Sequence, residues 1–503
     1  MITKIPKQVI EVLQKIEEQN FEAYIVGGCV RDLIMDKIPN DWDVTTNATP
    51  EKIQEIFPDN FYENNFGTVG VKVEKFTEGE GEHDVVEVTT YRIESKYSDK
   101  RRPDEVKFAK TLGEDLSRRD FAMNALALKI SNFKFQISNQ VQNQKTKIKN
   151  FDYEIVDLYS GQKDIEQKII RTVGNAEERF DEDALRMMRA IRFHSQLGFA
   201  IEEKTLEAIK KFAGHMQHIS QERIKDELVK IILSDNPAEG IEMLHETGLL
   251  QFVIPELESG VGIAQNRHHI HTIYKHCVLA LQFCPSKKLE VRLASLLHDI
   301  AKPQTKRGEG EFATFYNHDH VGARVAKKIL QRLRFSNEVI EKVSMLVDNH
   351  MFYYNPEEVG ESSVRRLIQK VGLENMKDLI DVRIADRLGS GTPKAKPYKL
   401  RHLEYMIDKL SQDAVSVKML KINGRDLMQD LLMTPGPKIG AILDVLLSEV
   451  IEDATKNEKE FLLTRAKELD KEDLQKLREM AKEKIEEKKE EDDKEIRDKY
   501  WVK

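Results

Sequence analysis

Along the first 130 or so residues the apolar positions follow two different periods. In "MITKIPKQVIEVLQKIEEQN" they recur every three to four residues among charges, the spacing of an amphipathic helix. After it come "AYIVGG", "DWDVTT", "GTVGVKV", "DVVEVTTY" and "FAMNALALKI", short alternating β-branched runs bounded by turn residues, which predict strands. Beyond about residue 165 nearly every run has the 3.6-residue period. The pattern predicts an α/β head followed by an all-α remainder. Between them "SNFKFQISNQVQNQKTKIKN", residues 131–150, is rich in Asn, Gln, Lys and Ser and reads as an inserted loop without chemistry of its own.

Composition sharpens this outline. A chain of 503 residues, 40% hydrophobic and 33% charged, can bury several cores and is expected to form three or more domains. No charge-free apolar run approaches the roughly 20 residues that span a bilayer, and the amphipathic start is unlike a signal peptide, so a cytoplasmic protein is expected. Cys29, Cys277 and Cys284 are odd in number and far apart, which argues for small core residues rather than disulfides or a cysteine zinc site. The net charge of −8 does not advertise a nucleic-acid binder. Much of the acid, however, lies in the tail Lys482 to Lys499, where Ile485 and Ile496 are the only apolar residues and a solvated helix or disordered extension is expected. Elsewhere "SDKRRPDEVK" and "LSRRDF" carry paired arginines.

The densest chemistry is in "YIVGGCVRDLIMDKIPNDWDVTT". In a strand, residues two apart share a face, so Asp41 and Asp43 project together while Trp42 points into packing. Gly27 and Gly28 allow close backbone approach and aim amide donors at an anion, and Arg31 can add charge-assisted hydrogen bonds. Glu87, in "VVEVTT", can supply a third carboxylate from a neighbouring strand. Three acids, a bare backbone and a cation describe a metal and triphosphate site: attack of a hydroxyl on an α-phosphorus needs cations at the incoming oxygen and the departing pyrophosphate. A lone D-x-D or Gly-Gly carries little; their order and spacing carry the reading.

These residues also carry a resemblance. "GGCVRD…NDWDVTT", "VVEVTTYR", "DEVKF", "DLSRRDFAMNALAL", "IVDLYSGQKDI" and "NAEERFDEDALRMMRAIRFHSQLGF" follow in order the motifs of class II tRNA nucleotidyltransferases, the CCA-adding enzymes. The resemblance implies a polymerase-beta-like nucleotidyltransferase head with Asp41, Asp43 and Glu87 as catalytic acids, Asp41 and Asp43 holding Mg²⁺. It implies CTP and ATP as substrates, the 3′ end of tRNA as acceptor, and Arg119, Asp120 and Arg189 as nucleotide-pocket residues. On one continuous helix, Asp183 and Arg186 would share a face, as would Glu182 and Arg186. A carboxylate accepting an exocyclic amino proton and a guanidinium donating to a ring nitrogen fit cytosine and adenine and clash with uracil and guanine. The family assigns that role to this motif, which places it on Asp183 and Arg186, with Glu182 as orienting partner.

The second half has its own pattern. "HTIYKHCVLAL", "LASLLHDIAK", "FYNHDHVGA", "LVDNHM" and "DLIDVRIADRLGSG" distribute His276, His298, Asp299 and Asp386 over helices in the order of an HD-domain phosphohydrolase. His318 and His350 match further positions of that family. Imidazole with carboxylate suits a divalent transition metal that activates water. Asp381 competes with Asp386 as the last ligand; "ADR" favours Asp386. The resemblance implies all-α neck, body and HD domains, and phosphatase or 2′,3′-cyclic phosphodiesterase chemistry for 3′-end repair. Boundaries are expected at 1–160 (head), 161–265 (neck and body), 266–400 (HD) and 401–503 (helical C-terminal region with charged tail). Competing readings are a bacterial poly(A) polymerase, a CC-only or A-only enzyme, and a metal phosphohydrolase whose head only binds RNA. The tail lacks the Arg-rich composition expected of the first. The loop "YRIESKYSDKRRPDEVKF" argues against the second, and the three head acids argue against the third.

Overall fold

In the strand Trp42–Thr46, Trp42 and Val44 are fully buried while Asp43 between them is only half-buried. In Asp84–Thr90, Val86 and Val88 are buried and Glu87 is exposed. This period-2 burial on one face of each strand aims the acids from the other. The computed structural model describes residues 4–62, 67–76, 83–95, 105–131, 152–266, 270–411 and 420–502. Of the expected insertion only Ser131 falls within them, and of the loop that follows the acidic strand residues 96–104 lie outside.

Among the described residues nine strands build the head: β1 (Ala23–Val26), β2 (Trp42–Thr46), β3 (Asn60–Tyr62), β4 (Thr68–Val73), β5 (Asp84–Thr90), β6 (Arg92–Ser95), β7 (Glu105–Phe108), β8 (Leu126–Ser131) and β9 (Asp152–Asp157). Seven of them form one mixed sheet in the order β3-β4-β5-β2-β1-β8-β9. Only β2 and β5 run parallel, and their register sets Asp43 opposite Glu87. The remaining pair, β6 and β7, makes an antiparallel ribbon beside the sheet. The amphipathic run at the start is the helix Lys7–Glu18, burying Val9, Val12, Leu13 and Ile16.

Among the described residues from Gly161 onwards the elements are helices apart from two short strands, Ile169–Ile170 and Ala200–Ile201. One apolar core runs from Ile5 through the head and the following helices to Leu410. Residues between Leu420 and Leu477 bury a second core of their own. The charged tail is not a detached extension. It belongs to a single helix, Leu474–Tyr500, whose far end returns to the helix Tyr398–Ser411. There Asp493 accepts from the Tyr405 hydroxyl at 2.5 Å, the Tyr500 hydroxyl donates to Asp408 at 3.0 Å, and Ile496 is buried. One isoleucine and a few ion pairs are too sparse a signal to separate from a solvated charge run by composition. Among the described residues no helix is long and apolar enough to cross a membrane, and all three cysteines are free and buried.

Candidate active sites

The head site starts from β2 and β5. Beside Asp43 and Glu87 lies a cavity of about 320 Å³, closed on its other side by Arg92, Arg118 and Arg119. The two last arginines follow the helix Leu112–Ser117, whose start is fixed by a reciprocal cap between Thr111 and Glu114. Asp115, fully buried beneath them, takes Arg118 at 2.8 Å and Arg119 at 3.4 Å. Burial alone would raise its carboxyl, but the two guanidinium groups hold it below its ordinary range. The arrangement sets a row of cations across the cavity from a pair of acids, which suits a polyphosphate bound through metal ions.

Gly27 adjoins this cavity. Its φ is +87°, and a Cβ there would come within 2.9 Å of an Arg119 nitrogen and 3.5 Å of Asp43 Oδ2. Both the left-handed backbone and the space require glycine. Gly28 opens the helix Gly28–Ile34 directly behind it. Asp41 is exposed in the bend just before β2, outside the strand that was expected to include it. Arg31 makes contacts within the protein. Buried, it donates to Asp32 at 2.9 Å and Asn124 at 2.8 Å and stacks 5.2 Å from the Phe193 ring, bracing the head against the next helix. Buried Asp120 and half-buried Arg189 make a pair, with contacts of 2.7 and 2.6 Å. Desolvation opposes the charge on Asp120, but Arg189 and Arg186 hold its carboxyl down at about 2.

The motif "EDALR" departs from its sequence reading. Glu182 ends the helix Ala176–Glu182, Asp183 is extended (φ −139°, ψ 104°), and a new helix runs Leu185–Leu197. Asp183 and Arg186 therefore do not share one helix face. Asp183 caps the new helix at the Leu185 amide (3.0 Å) and pairs with Arg223 at 2.7 Å. Arg186, also buried, donates to Glu182 at 2.6 Å and to the Arg118 carbonyl at 3.1 Å. The helix breaks because Asp is a stronger cap than helix former. Arg118, Arg92 and Arg223 were not singled out by the sequence reading, although Arg118 is the first of the doubled arginines in "SRRDF" and Arg92 closes "VVEVTTYR".

The second site is buried inside the helices. His276 Nε2 lies 2.9 Å from His298 Nε2, 3.1 Å from Asp299 Oδ2 and 3.3 Å from Asp386 Oδ1. His318 Nε2 comes within 3.3 Å of Asp299 Oδ1 and His350 Nε2 within 3.8 Å. Asp299 is thus shared by two overlapping donor sets, one with His276 and His298, the other with His318 and His350. The Nδ1 atoms of His298, His318 and His350 face the carbonyls of Ser295, Phe315 and Val347 at 2.7–2.8 Å. At His318 and His350, Nδ1 then carries the proton and Nε2 offers its lone pair inward; at His298 the facing carboxylates favour a second proton on Nε2 while no metal is bound. Asp386, not Asp381, reaches the cluster. Gly389 explains how: a Cβ there would meet the Ala280 nitrogen at 2.8 Å, so only glycine lets the helix Leu373–Gly389 close on Ile273–Gln282.

Charges within the cluster are coupled. Burial disfavours the His298 cation, but Asp299 and Asp386 raise its pKa to about 10. Burial, joined by His298, lowers that of His350 to about 3. Asp299 and Asp386 are held well below the carboxylate range by the facing imidazoles, and for Asp299 by Lys302, 2.6 Å away. His318 Nε2 and His350 Nε2 are buried without a hydrogen-bond partner. Orphaned inward-facing imidazole nitrogens around a buried carboxylate fit a divalent transition metal. In the head the all-carboxylate set fits a harder cation.

Residues 23–171 match the family described as the poly A polymerase head domain, and residues 311–466 that described as tRNA nucleotidyltransferase domain 2. The CCA-adding enzyme of Enterococcus faecalis is 34% identical over 487 residues, which cover 93% of this chain and 97% of that one. The chain belongs to the CCA-adding enzyme family. A second CCA-adding enzyme, from Ligilactobacillus salivarius, is 34% identical over 467 residues, 92% of this chain and 96% of its own. The crystal structure of the Bacillus stearothermophilus CCA-adding enzyme in complex with CTP superposes with a TM-score of 0.56 at 28% identity, over 92% of this chain and 98% of that one. The α/β head with a helical remainder is the architecture of the CCA-adding enzymes, as the motifs implied, and members of this family are nucleotidyltransferases that use a divalent metal.

Proposed function

We propose that the protein adds CCA to the 3′ end of tRNA from CTP and ATP by nucleotidyl transfer. The observation that carries this is the parallel register of Asp43 and Glu87 facing Arg118 and Arg119 across one cavity. Asp41, Asp43 and Glu87 are the acids that would hold Mg²⁺. Bound there, the ions supply charge for a terminal hydroxyl attacking the α-phosphorus and for the departing pyrophosphate. The P–O bond to pyrophosphate breaks as the new phosphodiester forms. Arg118 and Arg119 bind the triphosphate, and Gly27 and Gly28 let the backbone approach it. At the break after Glu182, Arg223 fixes Asp183 as acceptor and Glu182 fixes Arg186 as donor, so each half of the C and A reader has its own support. Asp120 and Arg189 hold the floor beneath that reader. Incubating the purified protein with tRNA lacking its last three nucleotides, and with each nucleoside triphosphate singly and mixed, tests the reading. Full extension is expected only with CTP and ATP together; extension stopping at CC, or running on in ATP alone, would overturn it.

The buried cluster favours a second activity on the same chain. His276, His298, Asp299 and Asp386 would hold a divalent transition metal, and the site would hydrolyse a phosphate ester, such as a 2′,3′-cyclic phosphate at an RNA end. Water adds to phosphorus, one P–O bond breaks, and the proton ends on the released ribose oxygen. Loss of bound metal in His298→Ala, with CCA addition retained, is expected. We assign the head to 1–160, neck and body to 161–265, this site to 266–400 and the C-terminal region to 401–503. The separate core from Leu420 to Leu477 supports the last division.

A further inference from the structure

The histidine–aspartate site opens into a cavity of about 800 Å³. A second cavity of about 520 Å³ adjoins it, walled by Phe352, Tyr353, Tyr354, Tyr398 and Leu403, and the two share Arg383 and Arg387. Arg383, Asp386 and Arg387 are neighbours on one side of the helix Leu373–Gly389, at spacings of three and four. Arg383 is engaged, donating to Asp386 at 2.7 Å and lying 5.8 Å from the Phe352 ring. Arg387 takes no carboxylate among the described residues, and its Nε is buried without a partner. A guanidinium left unpaired beside metal donors is suited to a phosphate, which it can grip with two parallel hydrogen bonds.

The neighbouring wall has the complementary chemistry. The Tyr354 hydroxyl is tied to His402 Nδ1 at 2.6 Å, and the His402 ring lies 5.8 Å from that of Tyr398. The Tyr353 hydroxyl donates to Glu358 at 2.5 Å, yet Tyr353 is 69% exposed and Tyr398 42% exposed. Fixed aromatic faces open to solvent next to a cation are the elements that stack a base and grip its phosphate. A cavity of this size is within the range that holds a small ligand. A sugar phosphate would leave the aromatic wall unused.

We infer that the aromatic cavity is the base-binding subsite of the histidine–aspartate site and that Arg387 grips the phosphate between them. The ligand is then a nucleoside phosphate, free or as the terminal residue of an RNA. The inference rests on the hydrolytic reading for the fate of the phosphate, but not for its binding. The test is therefore run in EDTA, where a failed metal assignment leaves the result untouched. Full-length protein is photolabelled with 8-azidoadenosine monophosphate and the labelled peptides are mapped. Label within 352–354 or 398–403 is expected, separate from any in the head. AMP should displace it, and ribose 5-phosphate should need at least tenfold more. Tyr398→Ala should cut this label about tenfold while leaving CCA addition unchanged, and Arg387→Gln should weaken displacement by both ligands. Displacement by a CCA-ended RNA minihelix at lower concentration than AMP assigns the subsite to an RNA end; displacement by AMP alone assigns it to free nucleotide. No label in these segments, or equal displacement by ribose 5-phosphate, would overturn the inference.

Discussion

Two sets of metal-type donors are built here by opposite means. In the head, Asp43 is half-buried and Glu87 exposed on the open face of a sheet, brought together by strand register alone. Among the helices, His276, His298 and Asp299 are each at most 1% exposed, and backbone carbonyls fix three of the inward-facing histidines. An open set can admit a triphosphate together with its cations and bears little of the fold's stability. An enclosed set is preorganised, but its charges are taken from water and depend on one another. Loss of a donor should therefore cost catalysis in the first and stability as well in the second.

The sharpest contrast comes from alanine at the two aspartates. Asp43→Ala should lower CCA addition by about a thousandfold or more, several kcal/mol of transition-state stabilisation. Its melting temperature should stay near that of the parent. Single-turnover kinetics beside a thermal melt would reveal it, and addition at an undiminished rate would remove Asp43 from the chemistry. Asp299→Ala strands the Lys302 ammonium and the His298 imidazole in the core, costing about 3–5 kcal/mol in the metal-free protein. Denaturant unfolding measures that loss; a variant as stable as the parent would mean the cluster is not the coupled, buried set described here.

Asp120 tests whether the head too contains a buried, coupled charge behind its open face. Its carboxyl sits at about 2 rather than near 3.8. A depressed carboxyl contributes stability that is present above the unfolded value and is lost as pH falls from about 4 through about 2. Asp120→Asn should therefore be less stable by about 2–3 kcal/mol at pH 7, with a gap constant down to about pH 4 and shrinking below it. Urea unfolding at several pH values decides the matter, and a gap that widens with acid would refute the pairing. The smallest effect expected is at Arg186. Its replacement by Ala should cost about 1.5–3 kcal/mol, ten- to hundredfold, in the use of CTP and ATP, and less in that of UTP and GTP. A uniform loss across all four nucleotides would reduce the Glu182–Arg186 pair to a brace between helices.

The strands and their acid-bearing faces were legible because a period of two is a local property. Trp42, Val44, Val86 and Val88 report the buried side wherever the strands end up. That the strand of Glu87 adjoins that of Asp43 was expected, but the parallel register was not legible, since 44 positions and two other strands separate Asp43 from its partner Glu87. The motif order was enough to identify the family, and the histidine–aspartate order enough to name the members of the buried cluster. Between Asp381 and Asp386 the sequence offered only a preference; the close approach at Gly389 decides it.

What the sequence by itself determined, then, is which residue types are present, on which face of which element, and in what order. Tertiary structure alone decided which charge answers which. Glu182 and Asp183 are adjacent, yet one takes Arg186 in the next helix and the other Arg223, 40 positions away. Arg383 finds Asp386, whereas Arg387, one position beyond that aspartate, finds no carboxylate at all among the described residues. Ion pairs need two groups within about 4 Å, and that distance is set by the packing of elements remote in sequence, while the periodicity of a strand or helix is set by the backbone a few residues at a time.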